Sequence, residues 1–265
     1  RTELILQIFA RRARSAEAQI QVELAQLEYL ISRIPVSVRQ HRFQGGIGMR
    51  GPGESPLQLR NEPMRRRIRD LKKKLDTIQK RREKVRSSRR WPLVCLVGYT
   101  NAGKSTLLNA FARSDAYVDD RLFATLDTKT RLVYINDKKS VLLSDTVGFI
   151  RHLPHGLVAS FRSTLDVAVN ADLLLVVLDA SHRHIEDHLS VVIETLREIG
   201  ADKVPSILVL NKADVPGAMG AIPDLMNSFP MASVISAIDR HGLDKLKTRI
   251  VEELANVESG GHPYR

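Results

Sequence analysis

Apolar residues recur at helical spacing from the start of the chain. Ile20, Leu24, Leu27, Ile31 and Ile34 follow a 4,3,4,3 rhythm, with Leu4, Ile8 and Ala16 before them in looser phase and Pro35 at the end. One long helix is predicted there, spanning about 50 Å at ~1.5 Å per residue. Met64, Ile68, Leu71, Leu75, Ile78 and Val85 form a second seam, interrupted by Arg82. Two such seams joined by a flexible link predict an antiparallel, coiled-coil-like helical hairpin. Beyond Trp91-Pro92 the pattern changes. Leu93–Val97, Ala171–Leu178, Ser206–Leu210 and Ser233–Ser236 read as strands; Arg131–Ile135 and Ser140–Ser144 flank the hairpin signal Asn136-Asp137-Lys138-Lys139. Helices fit Lys104–Ala112, Gly156–Val169, Ile185–Ile199 and Leu243–Leu254. Six strands with helices between them predict an α/β domain whose sheet is mostly parallel with one antiparallel edge. The domains expected are a helical hairpin over 1–90, the α/β domain over 91–256 and a tail over 257–265.

Composition sharpens this division. Of 265 residues, 43% are apolar, enough for a real core. The formal charge is +11, but residues 1–90 carry 23 Lys and Arg against 9 Asp and Glu, while residues 91–265 carry 18 against 21. A first third this basic points to a polyanionic partner: nucleic acid first, an anionic membrane surface second. The longest aliphatic run, Leu173 to Leu178, is six residues, far short of the ~20 that a spanning helix needs. A single cysteine, Cys95, excludes an internal disulfide framework and fits a reducing, cytoplasmic setting. The chain opens on Arg1 rather than Met, in a helical pattern, so residue 1 is read as internal to a longer protein.

The link between the seams, about 36–61, holds Gly45, Gly46, Gly48, Gly51 and Gly53 with Arg39, Arg42 and Arg50. One reading is a plain connector. The sharper one is a tip whose glycines let the backbone approach a nucleic-acid strand while the arginines meet phosphates.

Gly98-Tyr99-Thr100-Asn101-Ala102-Gly103-Lys104-Ser105, followed by Thr106, matches G-x-x-x-x-G-K-[ST] between a predicted strand and a predicted helix. Such a loop wraps phosphates with backbone N–H groups at a helix N-terminus. Lys104 is expected to bridge the β- and γ-phosphates and Ser105 to ligate Mg²⁺. Asp145-Thr146-Val147-Gly148 ends another strand: Asp145 can hold the metal through water, and Gly148 can offer its N–H to the γ-phosphate. Asn211-Lys212-Ala213-Asp214 ends a third. An acceptor-only carboxylate at the base edge pairs with guanine N1–H and N2–H and finds no donors on adenine, so GTP and GDP are favoured over ATP. Ser236-Ala237 is placed to offer a backbone N–H to guanine O6.

These motifs, together with Leu122-Phe123-Ala124-Thr125-Leu126-Asp127, Phe149-Ile150, Leu153-Pro154-His155, Arg1–Leu6 and Gly46–Glu54, resemble the HflX family of ribosome-associated GTPases from residue 1 to about 255. The resemblance implies a P-loop GTPase domain that hydrolyses GTP to GDP and phosphate. It also implies binding to the large ribosomal subunit and its rRNA, ribosome splitting, and a monomer off the ribosome. It makes Thr125 the switch threonine closing on Mg²⁺ and the γ-phosphate, with Phe123, Ala124, Leu126 and Asp127 beside the nucleotide. It puts the glycine-rich tip in ribosomal RNA. Against that resemblance, the sequence in hand is expected to lack the N-terminal α/β domain usual in the family, and to have the C-terminal addition of some members either missing or cut to a short tail. Ser55-Pro56 and Asn61-Glu62-Pro63 depart from the family pattern and are expected to delay the start of the second helix.

Where many GTPases carry a water-orienting Gln, this sequence has Phe149. Slow intrinsic hydrolysis, accelerated by the ribosome, is expected; the alternative is a GTP-switched assembly or RNA-binding factor that does not need hydrolysis. His184 and His188 have metal-compatible spacing, but with His182, Glu186 and Asp187 they read as a solvated helix start. His152 and His155 read as positional and Cys95 as an inert core residue.

Overall fold

The computed structural model describes residues 2–33, 56–86, 89–112, 129–136, 139–149 and 162–259, divided into two compact units, one ending at Lys84 and the other running from Val85 onward. In the first unit the single long helix expected at the start is two: α1 (Thr2–Arg12) and α2 (Ala16–Ser32). The break has a local cause. Ser15 is extended, and its hydroxyl accepts the N–H of Ala18 at 3.1 Å, an N-cap that starts a new helix where the apolar rhythm alone suggests none. Ile5, Leu6 and Phe9 of α1 are buried, as are Ala18, Val22, Leu24 and Ala25 of α2.

α3 (Pro56–Arg86) starts earlier than the prolines suggest. Pro56 occupies the first helical position, where a missing N–H costs nothing. Pro63 lies inside and forfeits one bond to the carbonyl of Leu59. Leu71 is the buried anchor of its seam. Two ion pairs join α2 to α3: Arg67 grips Glu23 with two bonds of 2.6 and 2.9 Å, and Lys72 meets Glu28 at 2.8 Å. Both pairs have the same sequence offset, so the contacts advance together along the two helices; a strictly antiparallel seam would reverse their order. The tip residues Arg39, Arg42, Gly46, Gly48, Arg50, Gly51 and Gly53 lie outside the described residues.

The second unit is a six-stranded sheet of order β2-β3-β1-β4-β5-β6, built from β1 (Leu93–Gly98), β2 (Lys129–Tyr134), β3 (Ser140–Asp145), β4 (Leu173–Asp179), β5 (Ser206–Asn211) and β6 (Ser233–Val234). Only β2 runs antiparallel, against β3, as the sequence predicts. Central β1 and β4 are buried along almost their whole length, which is why they read as unbroken apolar runs. α4 (Lys104–Ala112), α5 (Arg162–Val169), α6 (Ile185–Ile199), α7 (Pro216–Ser228) and α8 (Leu243–Ser259) complete the unit. α4 and α8 bury Leu107, Phe111, Leu246 and Ile250 in a cluster with Leu96 and Val177; Ile185, Ala218 and Leu225 join Leu178 and Leu210 in another. α7 is a helix that the periodicity does not show, and α8 continues past Leu254 to Ser259. Among the described residues no helix is long and apolar enough to cross a membrane.

Candidate functional site

Strand order reverses at β1, which lies between β3 and β4. In open parallel sheets such a reversal opens a crevice at the carboxyl ends of the strands. The strand-end motifs collect there by register: Leu96 pairs with Asp145, Gly98 with Val177, Asp179 with Asn211, and Leu210 with Val234.

The loop after β1 is closely held. Gly103 has φ +88, and a Cβ on it would lie 2.3 Å from Asn211 Nδ2. Asn101 is also left-handed, at φ 62, a conformation that asparagine tolerates. Lys104 opens α4 with its side chain buried. Its ammonium donates to Gly98 O at 3.1 Å and Tyr99 O at 2.9 Å. Burial pulls its pKa down to about 8, against the opposing pull of nearby Asp145. The Ser105 hydroxyl donates to Asp145 Oδ2 at 2.5 Å. Thr106 is half-buried on the first turn of α4.

The β3 end is laced to this loop. Phe149 N–H donates to Gly98 O at 3.0 Å, and Thr100 N–H to Phe149 O at 2.9 Å. Between them Gly148 passes so close that a Cβ would sit 2.6 Å from Thr100 Cα. The Thr146 hydroxyl is spent on Leu96 O at 2.6 Å, and Val147 is buried. These two side chains hold the β3 end in place and present no group to a ligand. Phe149 is 3% exposed, a core residue under the loop.

On the other side of the crevice Asn211 joins two loops. Its amide donates to Ala102 O at 2.9 Å, and its carbonyl oxygen accepts Ala237 N–H at 3.0 Å. Ser236 N–H goes to His241 O at 3.1 Å, and the Ser236 hydroxyl accepts from Asp239 N–H. The backbone N–H expected from Ser236-Ala237 for guanine O6 therefore has a protein acceptor whichever residue supplies it, Asn211 for Ala237 and His241 for Ser236. Ala213 N–H bonds Ile235 O at 3.1 Å. Asp214 Oδ1 is buried and has no hydrogen-bond partner among the described residues. A buried acceptor without a donor is costly, and this one suits a ligand that supplies N–H groups.

Asp179, His182, His188 and Gly242 take part without belonging to those motifs. Asp179, at the end of β4, pairs with Lys212 Nζ at 2.8 Å. The Tyr99 ring lies 3.7 Å from that of His188, nearly parallel, and His182 leans on His188 at 4.1 Å, so this part of the histidine cluster packs on the phosphate loop. Gly242, at φ +75, closes the turn behind Ser236. The sequence signal is faint: Asp179 is a carboxylate ending an apolar strand, and nothing in the sequence names its partner. Among the described residues no three His, Cys, Asp or Glu side chains converge to hold a metal ion. Cys95 is fully buried, and burial, with Asp145 adding to it, pushes its thiol pKa up. Phe123, Ala124, Thr125, Leu126, Asp127, His152 and His155 lie outside the described residues.

A mostly parallel sheet with a G-x-x-x-x-G-K-S loop after β1, and a carboxylate with one buried, unpartnered oxygen on the loop after β5, is the arrangement of the P-loop GTPase class. Residues 12–89 match the family described as the GTP-binding GTPase middle region, and residues 93–212 that described as 50S ribosome-binding GTPase. The GTPase HflX of Caldanaerobacter subterraneus is 46% identical over 258 residues, 96% of this chain and 59% of that relative. The GTPase HflX of Escherichia coli is 47% identical over 219 residues, 81% of this chain and 51% of that relative. Among solved structures, SsGBP in complex with GDP superposes with a TM-score of 0.61 at 30% identity, covering 96% of this chain and 72% of that one. The chain belongs to the HflX family of GTPases. It spans about three-fifths or less of the length of these two curated relatives.

Proposed function

We propose that this chain binds GTP and GDP with Mg²⁺, hydrolyses GTP, and acts in the cytoplasm on the large ribosomal subunit, promoting the separation of ribosomal particles. The observation that carries the nucleotide reading is the bridge made by Asn211, which joins the 98–105 loop to the loop after β6, beside a carboxylate, Asp214, with one buried, unpartnered oxygen. A nucleotide has charged phosphates at one end and a base with N–H donors at the other, and guanine offers two donors where adenine offers none.

In this reading the 98–105 loop and the α4 N-terminus receive the phosphates, with the Lys104 ammonium turning from its own carbonyls to phosphate oxygens. Ser105 Oγ and Asp145, 2.5 Å apart, are hard oxygen donors suited to Mg²⁺, directly and through water respectively. Bound Mg²⁺ supplies charge neutralisation on the phosphates. Thr125 joins this shell by family resemblance. Water attacks the γ-phosphorus in line: a new P–O bond forms, the bond to the β–γ bridging oxygen breaks, and GDP leaves. Lys104 and the Gly148 N–H stabilise the charge that develops.

The ribosomal part of the proposal draws on the basic helical unit and on the family description of residues 93–212. The glycine-rich tip, with Arg39, Arg42 and Arg50, is its RNA contact. A second reading has one observation in its favour: Phe149 is buried where a water-orienting Gln would stand. A GTP-switched assembly or RNA-binding factor would need no such Gln. Co-sedimentation with 70S, large and small particles under GTP, GDP and a non-hydrolysable analogue separates the two. Splitting that requires hydrolysis supports the first, and full activity with the analogue supports the second. Failure of GDP to bind in calorimetry, with ADP as control, overturns both.

A further inference from the structure

Tyr99 is the second residue of the 98–105 loop, and its backbone holds that loop's shape. Its carbonyl oxygen accepts the Lys104 ammonium at 2.9 Å and the Ala102 N–H at 3.3 Å. Its backbone also bridges to Phe149 at the end of β3. The side chain turns to a different element. The Tyr99 ring lies face to face with that of His188, on the first turn of α6, with centroids 3.7 Å apart and planes 6° from parallel. The His182 ring backs His188 at 4.1 Å, and its Nδ1 accepts the His184 N–H at 3.1 Å. The segment that carries His182 is fastened in turn. Ala180 N–H donates to Asn211 O at 2.9 Å, and His182 N–H to Asp179 O at 3.2 Å. Asp179 Oδ1 accepts the Ser181 N–H at 3.0 Å and the Ser181 hydroxyl at 2.6 Å. A continuous strut therefore runs from Asn211 through residues 180–182 and His188 to Tyr99.

We propose that His188 is a positioning residue for phosphate binding: its ring holds Tyr99 in place, and with Tyr99 the carbonyl that anchors Lys104 and the turn of the loop. The inference rests on the nucleotide reading above and extends it to a helix outside the recognisable motifs. A glycine-bearing loop bends easily, whereas the N–H groups and the ammonium it offers must each lie within about 2.7–3.2 Å of an oxygen to bond it. Charge-assisted bonds to phosphate are the strong ones, so a small displacement of the loop costs affinity. Stacked rings resist such displacement, because sliding one over the other gives up contact area and the favoured offset geometry. The same stack could serve only to pack α6. That role and the proposed one differ in which end of the nucleotide feels the loss, and in whether any flat ring repairs it.

The test uses the full chain and titrates GDP and IDP by calorimetry against wild type, His188→Ala, His188→Phe and Val192→Ala, with the melting temperature of each. IDP lacks the exocyclic amine of guanine, so the GDP/IDP ratio reports on the base end alone. Val192 is fully buried on α6, one turn beyond His188, and its truncation loosens the helix without touching the stack. His188→Ala is expected to weaken GDP and IDP together by about three- to tenfold, with their ratio unchanged. His188→Phe, which keeps a flat ring against Tyr99, is expected to stay close to wild type for both. Val192→Ala is expected to melt earlier and to bind GDP as wild type does. Wild-type GDP affinity in His188→Ala, a reduced GDP/IDP ratio, a His188→Phe no better than His188→Ala, or an equal loss in Val192→Ala each overturns the assignment while leaving guanine binding intact. A wild-type chain that binds no GDP overturns the nucleotide reading and this assignment with it.

Discussion

Lys104 is a buried cation held by its own loop carbonyls, and its proton should affect stability and the proposed phosphate binding in opposite ways as pH rises. Its pKa is lowered by burial from the ordinary 10.5 to about 8 in the folded chain. Between those values the unfolded chain binds the proton more tightly than the folded one, so folding stability rises with pH across that window. Below about 8 both states carry the charge and the burial cost is present in full. Phosphate binding needs the ammonium, so GDP affinity is expected to fall above pH 8, by up to about tenfold per pH unit, with uptake of one proton. Denaturant unfolding of wild type against Lys104→Met, together with GDP titrations from pH 7 to 9.5 in buffers of different ionisation enthalpy, checks both signs. A pH-independent GDP affinity over that range contradicts the assignment. At this scale the placement of the motifs at strand ends was legible, because each motif is contiguous and follows an apolar run. Legibility stopped where a role depends on a distant partner. Nothing in the sequence says that Thr146 spends its hydroxyl on Leu96, or that Asp179 meets Lys212.

Among the elements, the join between β1 and β3 carries most of the mechanical argument. Thr100, Phe149 and Gly98 exchange backbone bonds across it, and the Phe149 side chain is buried. Phe149→Gln would restore the residue type found in many GTPases at this position, yet the side chain is buried. The variant is expected to lose about 2–4 kcal/mol of stability, through lost packing and a buried amide, and to gain no hydrolysis rate. Urea unfolding and single-turnover assays measure the two, and faster turnover would show that the side chain can reach the nucleotide. Asn211→Ala removes two buried bonds at once and is expected to weaken GDP as well as cost about 1–3 kcal/mol of stability, which the same assays read. Elements proved legible where apolar periodicity was unbroken, as in β1, β4 and α6. α7 was missed because Pro216, Gly217, Gly220 and Pro223 read as breakers, although Pro216 lies in the harmless first turn and Ala218 and Leu225 bury a small face. The opposite error merged α1 with α2: a three-residue interruption with a serine cap is too short to disturb the hydrophobic pattern.

For the whole molecule, the unequal charge distribution is the property on which the proposed ribosomal activity rests. The first 90 residues hold a large cationic excess, while the rest is slightly anionic. Within the helical unit Arg67 and Lys72 are committed to Glu23 and Glu28, but these are largely exposed pairs of small energetic consequence. Arg65, Arg66 and Lys73 are exposed on α3, and changing them leaves the core of either unit intact. If this unit holds RNA through phosphates, each cation lost releases fewer counterions on binding. The slope of log affinity against log salt should then flatten by about 0.7–0.9 for each phosphate contact removed. The triple variant Arg65→Gln, Arg66→Gln, Lys73→Gln is therefore expected to co-sediment less with large ribosomal particles at every salt concentration. It should also show a shallower salt dependence and bind GDP with wild-type affinity, because the nucleotide residues all lie in the second unit. Lower affinity with an unchanged slope would mean that the cations act through protein contacts or folding rather than phosphate. Unchanged particle binding would leave the tip, with Arg39, Arg42 and Arg50, as the part of the basic segment left to carry the RNA contact. The two results can be told apart because charge neutralisation changes a slope, whereas a lost shape-specific contact at the tip changes mainly the intercept.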